Sequence, residues 1–231
     1  MTESLKPLIC ISVMGRDETE LEEKIERALS LGGDLVELRL DFLRELNASR
    51  LEDLISSFAD RIVITLRPSW EGGRYGGGEQ RRIEILRRLS ESRPAYVDLE
   101  LRTGSIVEVS AELRRRSKLI ISSHDFSGTP SEDELTSRAL ESLRYGDLAK
   151  IVPTSRSMDD NLRILGLYRR GDLPAERLIA FAMGEAGAVT RVLAPMLGSP
   201  IAYACLPGEE VSPGQLNITH FKRILDLVMP R

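Results

Sequence analysis

Short apolar runs alternate with longer amphipathic ones along the whole chain. The apolar runs are "LICISV", "LVELRL", "RIVITLR", "AYVDLEL", "KLIISSH", "LAKIVP", "RLIAFAM" and "PIAYACL". Most are continuous rather than strictly alternating, the pattern of strands buried on both faces. Between them, apolar spacing predicts helices over 18–31, 50–58, 79–90, 105–116, 131–145, 157–170, 188–197 and 213–228. Ser131 and Ser157 each precede an acid-containing first turn, which marks a helix start. Gly32, Gly146 and Gly171 stand where the preceding helices should stop. Pro213 is the expected first residue of the last helix.

Eight strands and eight helices in strict alternation over 231 residues give roughly 29 residues per unit, close to a βα repeat. No composition shift or linker breaks the series. The expectation is α/β: a single-domain (β/α)8 TIM barrel spanning residues 1–231. A doubly wound open sheet is the competitor, but "SVMGRDETE" after the first strand lacks the dinucleotide glycine spacing. In a barrel the C-terminal strand ends converge on one mouth, where such folds keep their sites. Polar residues gather at those ends: Glu37, Arg39 and Asp41, then Arg67, then Asp98 and Glu100, then His124 and Asp125.

Composition is that of an ordinary globular chain, 42% hydrophobic and 29% charged. A net charge of −4 offers no basic face for nucleic acid, and the basic run "ELRRRSK" reads as a solvated helix end. No apolar run approaches the ~20 residues of a membrane helix. The apolar stretch near the start is too short for a signal peptide, so a reducing cytoplasm is the simplest expectation. Cys10 and Cys205 match no metal or redox spacing and read as core residues. In a closed barrel their strands would be neighbours.

Lys150 is the residue out of place. It interrupts the apolar strand "DLAKIVP", whereas Lys6, Lys24, Lys118 and Lys222 lie in polar or amphipathic surroundings. Burial strips hydration from an ammonium, and an amine that loses its proton more easily is a nucleophile. His124 closes the preceding strand, so the two should face one cavity. Singly, each has a plain alternative: a lysine snorkelling to the barrel rim, a histidine bonded to Asp125 or a backbone carbonyl. His220, on the last helix, reads as structural. Alternation in "VELRLDF" sends Glu37, Arg39 and Asp41 to one side, lumen or mouth. Arg67 precedes the glycine-rich "EGGRYGGGEQ", whose Glu71 is placed to orient the His124 imidazole. As a phosphate cradle that loop is a weak signal. Arg191, after "MGEAG", suits a bidentate grip on a carboxylate, and Gln215 in "SPGQ" suits an anionic ligand.

These motifs in this order resemble the type I 3-dehydroquinate dehydratases of the shikimate pathway. The match is carried by "ELRLD", "TLR…EGG", "DLEL", "SSHDF", "AKIV", "MGEAGAVTR" and "SPGQ". The resemblance implies dehydration of 3-dehydroquinate to 3-dehydroshikimate with neither metal nor cofactor. Lys150 would form an imine with the ring ketone, and His124 would act as general acid and base beside Glu71. Glu37, Arg39 and Arg67 would contact ring hydroxyls. Arg191 and Gln215 would clamp the carboxylate. It also implies a homodimer. Two positions depart from the family: Thr190 stands where a serine is usual, and Val211 where a serine lies near the carboxylate, with Ser212 a potential substitute. An aldolase-like imine lyase would share the lysine but would want a phosphate grip. A non-enzymatic barrel would lose nothing but stability on losing Lys150.

Overall fold

Strands and helices alternate without exception. They run β1 (Leu8–Val13), α1 (Glu18–Ser30), β2 (Leu35–Arg39), α2 (Ala48–Ser57), β3 (Ile62–Thr65), α3 (Glu79–Ser90), β4 (Tyr96–Glu100) and α4 (Ile106–Leu113). The second half continues with β5 (Lys118–Asp125), α5 (Glu132–Tyr145), β6 (Leu148–Pro153), α6 (Met158–Gly166), β7 (Leu178–Ala180), α7 (Ala188–Met196), β8 (Ile201–Cys205) and α8 (Ile218–Val228). The computed structural model describes residues 6–210 and 214–228.

All eight strands are parallel, in the order β7-β6-β5-β4-β3-β2-β1-β8, which is a (β/α)8 barrel with one seam open. Among the described residues no ladder joins β7 to β8. The reason is local. The Tyr168 hydroxyl accepts from Ala180 N–H at 2.7 Å and lies 3.1 Å from Ala180 O, occupying the edge that β8 would otherwise pair with. Thr190 works beside it, accepting from Ala182 N–H at 2.8 Å and donating to Gly187 O at 2.6 Å. The hydroxyl at position 190 thus fixes the turn from β7 into α7.

Ser131 and Ser157 start their helices as expected, each accepting from a first-turn backbone N–H, and Asp17 and Asn47 cap α1 and α2 in the same way. Three expectations are corrected. The helix expected over 157–170 stops at Gly166 and continues only as a 3-10 turn, Leu167–Arg169. The strand expected to carry Asp41 ends at Arg39, and Asp41 sits in a 3-10 turn, Leu40–Phe42. The last helix begins at Ile218 rather than Pro213. Leu216 O accepts from Cys205 N–H at 3.1 Å, which keeps the chain extended beside β8. Asn217 then caps the helix by accepting from His220 N–H at 3.1 Å. Pro213 itself, with Val211 and Ser212, lies outside the described residues.

The core has two parts. Outward-facing strand residues such as Ile11, Leu38, Ile64, Leu99 and Ile121 pack against the helices. Inside, Cys10, Leu35, Val63, Ile120, Leu148, Ile179 and Ile201 fill the bottom of the lumen. Two residues further along most strands the lumen turns polar: Ser12, Glu37, Thr65, Asp98, Ser122 and Lys150, all buried. Period-2 alternation keeps each strand's inward face continuous, so the change from apolar to charged marks a level in the barrel. Cys10 and Cys205 are both buried and free. Their strands are adjacent, but Cys10 pairs with Tyr203 and Cys205 with Ser12, so the two lie offset by two residues.

Candidate active site

A cavity of about 600 Å³ opens at the C-terminal strand ends. Its lining includes the eight residues to which the family resemblance gives a role: Glu37, Arg39, Arg67, Glu71, His124, Lys150, Arg191 and Gln215. Lys150 is 4% exposed, so it does not snorkel to the rim. Its Nζ lies 3.1 Å from Glu37 Oε1 and 3.0 Å from Asp98 Oδ2. Burial alone was expected to strip the amine of its proton. Two carboxylates in contact oppose that, and the arrangement is that of a paired ammonium.

The pairing extends into a chain of alternating charge. Arg67 Nη2 lies 2.9 Å from Asp98 Oδ1, and Arg67 Nη1 lies 2.6 Å from Glu100 Oε1. Arg82, from α3 and fully buried, holds the other oxygen of Glu100 and reaches Glu79 at 2.8 Å. Hydroxyls fill the remaining acceptor sites. Ser12 and Thr65 donate to Glu37 at 2.6 and 3.0 Å, and Ser122 donates to Asp98 at 2.6 Å. Burial works against ionisation of Glu37 and Asp98, but Lys150 and, for Asp98, Arg67 outweigh it, so both carboxyls titrate below their ordinary values. Glu100 is instead pushed up, by burial first.

His124 sits two residues beyond Ser122, the residue paired with Lys150, on the same face of β5. Glu71 Oε2 lies 2.9 Å from both its backbone nitrogen and its Nδ1. Asp125, the alternative partner, bonds Ser127 and Arg138 instead. Burial, then the nearby Arg67 and Lys150 cations, hold the imidazole pKa well below its ordinary value, so it is neutral. Burial raises the Glu71 carboxyl to about 7. A neutral imidazole donating from Nδ1 to an ionised Glu71 keeps its Nε2 lone pair free, the arrangement of a base. Gly73 makes this reach feasible, because a Cβ there would lie 2.0 Å from Arg67 O. The glycine-rich loop therefore serves to fold Glu71 back into the site.

At the rim, Arg39 makes a two-bond pair with Asp41, both contacts 2.9 Å, and Asp41 also accepts from Arg74 N–H at 3.0 Å. Arg191 is buried on α7 with its guanidinium 4.4 Å from the Phe181 centroid, and burial lowers its pKa to about 10. Gln215 follows Gly214, whose φ of +81° and 2.4 Å approach of a would-be Cβ to Gly184 O pin the β8–α8 loop against the β7–α7 loop. Among the described residues no group of three or more His, Cys, Asp or Glu is arranged to hold a metal ion. No helix among them is long and apolar enough to cross a membrane.

Sequence reasoning gave no role to Asp98, Ser12, Thr65, Ser122, Arg82 or Tyr203, which also build the site. Asp98 was the most findable, since the alternation in "YVDLE" turns it inward with Glu100. His220, bonded to Asn217 at the start of α8, is away from the cavity lining.

Comparison with known proteins gives the family and the fold. The family model described as type I 3-dehydroquinase matches residues 9–229. A 3-dehydroquinate dehydratase of Methanococcus maripaludis strain C5 is 34% identical over 224 residues, covering 96% of this chain and 100% of the relative. One from Pyrobaculum aerophilum is 41% identical over 211 residues, covering 90% of this chain and 67% of the relative. The crystal structure of the Geobacillus kaustophilus 3-dehydroquinate dehydratase superposes with a TM-score of 0.87 at 27% identity, covering 98% of this chain and 93% of that one.

Proposed function

Because the chain belongs to the type I 3-dehydroquinase family, we propose that it dehydrates 3-dehydroquinate to 3-dehydroshikimate, in the shikimate pathway, through an imine on Lys150. The observation that carries this reading is a buried lysine amine and a neutral imidazole lining one cavity from neighbouring strands.

Lys150 first gives up a proton, then its Nζ attacks the ring ketone and the carbonyl oxygen departs as water. The resulting protonated imine is an electron sink, which acidifies the adjoining C–H. His124 Nε2 takes that proton, and the electron pair flows to nitrogen as an enamine. The enamine then expels the hydroxyl on the next carbon, which leaves as water with the proton His124 had taken. Hydrolysis of the product imine frees Lys150. Acid–base help of this kind contributes ~10²–10⁴-fold, and the imine supplies much of the rest.

Glu37 and Asp98 face the nitrogen throughout and favour its cationic states. Glu71 fixes the imidazole tautomer. Arg39 and Arg67 meet the ring hydroxyls, although both terminal nitrogens of Arg67 are already held by Asp98, Glu100 and Ser122, so its first contribution is electrostatic. Arg191 and Gln215 clamp the substrate carboxylate. The same reading has a homodimer acting in the cytoplasm, where two buried free thiols are at ease.

The test is incubation with 3-dehydroquinate and borohydride, with mass spectrometry for an adduct on Lys150 and ultraviolet absorbance for the product enone. Adduct and enone together support the reading. Adduct without enone points to aldolase-like chemistry, and the absence of both refutes the reading.

A further inference from the structure

Carboxylates are not the only groups against Lys150. Its Nζ lies 4.1 Å from the centroid of the Tyr203 ring, inside the ~6 Å over which a ring face attracts a cation. Tyr203 stands on β8, paired with Cys10 of β1, and points into the lumen. Its ring leans on Phe181, centroids 5.8 Å apart and planes at 40°, and Arg191 lies over the far ring. Two aromatic rings thus separate Lys150 from Arg191, two of the buried cations of the cavity, one cation to each. The phenol oxygen of Tyr203 is buried with no hydrogen-bond partner among the described residues. Its ring face, not its hydroxyl, is what this side chain offers the site.

We propose that Tyr203 is a positioning residue for the imine reaction, its ring face holding Lys150 Nζ in place and favouring the ammonium before attack and the protonated imine after it. The inference rests on the imine reading above. A carboxylate that draws a cation also competes for its proton, whereas an aromatic face draws the charge and has no site for the proton. The ring therefore stabilises cationic nitrogen without acting as a base. The other groups around Nζ are Glu37 on β2 and Asp98 on β4, which attract it, and Arg67, two residues past the end of β3, a like charge that shares Asp98 with it. His124 on β5 and Cys10 on β1 are held neutral by burial. Glu71 reaches the site through His124 and contributes the same titration to every variant at position 203, so differences between variants isolate Lys150.

The experiment is the pH dependence of borohydride trapping on Lys150 and of kcat, for the wild type, Tyr203→Phe and Tyr203→Leu. Tyr203→Phe keeps the face and should superimpose on the wild type. Tyr203→Leu should move the acid limb of trapping and the alkaline limb of kcat to lower pH by about 0.5–1.5 units. If Tyr203→Leu does not fold, increasingly fluorinated phenylalanines at position 203 drain the ring face at nearly constant shape, and the limbs should move stepwise with fluorine number. Unmoved limbs across that series, or a Tyr203→Phe shift as large as that of Tyr203→Leu, would overturn the proposal while the imine reading stands. A wild type that gives no Lys150 adduct would overturn both.

Discussion

Glu71 Oε2 accepts from the backbone N–H of His124 and lies 2.9 Å from the same residue's Nδ1, so one carboxylate oxygen fixes both the strand end and the ring. With the carboxyl raised to about 7, the pair changes state near neutral pH. Below that pH the Glu71 O–H donates to Nδ1, the ring proton moves to Nε2, and the base is lost. Activity should therefore fall as pH drops through about 7. Glu71→Gln should lower kcat/KM and erase that limb from its pH profile.

The same titration has a stability counterpart. The folded chain binds the Glu71 proton more tightly than an ordinary glutamate at 4.5, so its contribution is full below 4.5 and is lost as pH rises through about 7. Glu71→Gln should gain on the wild type in thermal unfolding between pH 5 and pH 8, by at most about 3 kcal/mol. A constant difference in Tm across that range would contradict the assignment.

Lys150→Met should abolish borohydride trapping and turnover. It also leaves Glu37 buried without its cation, while Asp98 keeps Arg67. Breaking a buried pair in this way costs about 3–5 kcal/mol. Burial works to raise the Glu37 pKa, and Lys150 is the largest of the groups that hold it low, so in the variant it takes up a proton at higher pH. The stability gap between variant and wild type should narrow on acidification, as measured by urea unfolding at several pH values.

His124→Ala should still trap an adduct on Lys150 but lose about 10²–10⁴-fold in kcat. Normal turnover in this variant would remove His124 from the acid–base role.

Arg191→Gln should raise KM about 10–100-fold with a smaller effect on kcat, because a charge-assisted bond to the substrate carboxylate contributes about 1.5–3 kcal/mol. An unchanged KM would move the carboxylate elsewhere in the cavity.

The sequence by itself determined the βα alternation, the barrel and the strand ends at which charge collects. These are local matters: strand period decides which side chains face inward, and caps such as Ser131 and Ser157 decide where helices begin. It also placed Lys150 and His124 on one face of adjacent strands. What the tertiary structure alone decided is which inward groups touch. Lys150 meets Glu37 from 113 residues away and Asp98 from 52, across a lumen whose distances depend on barrel closure and strand stagger. Hence the buried amine proves to be ion-paired, Tyr203 lies against it, and Tyr168 rather than β8 completes the edge of β7. Facing direction follows from a two-residue period, but contact across a barrel follows from where the whole sheet curves back upon itself.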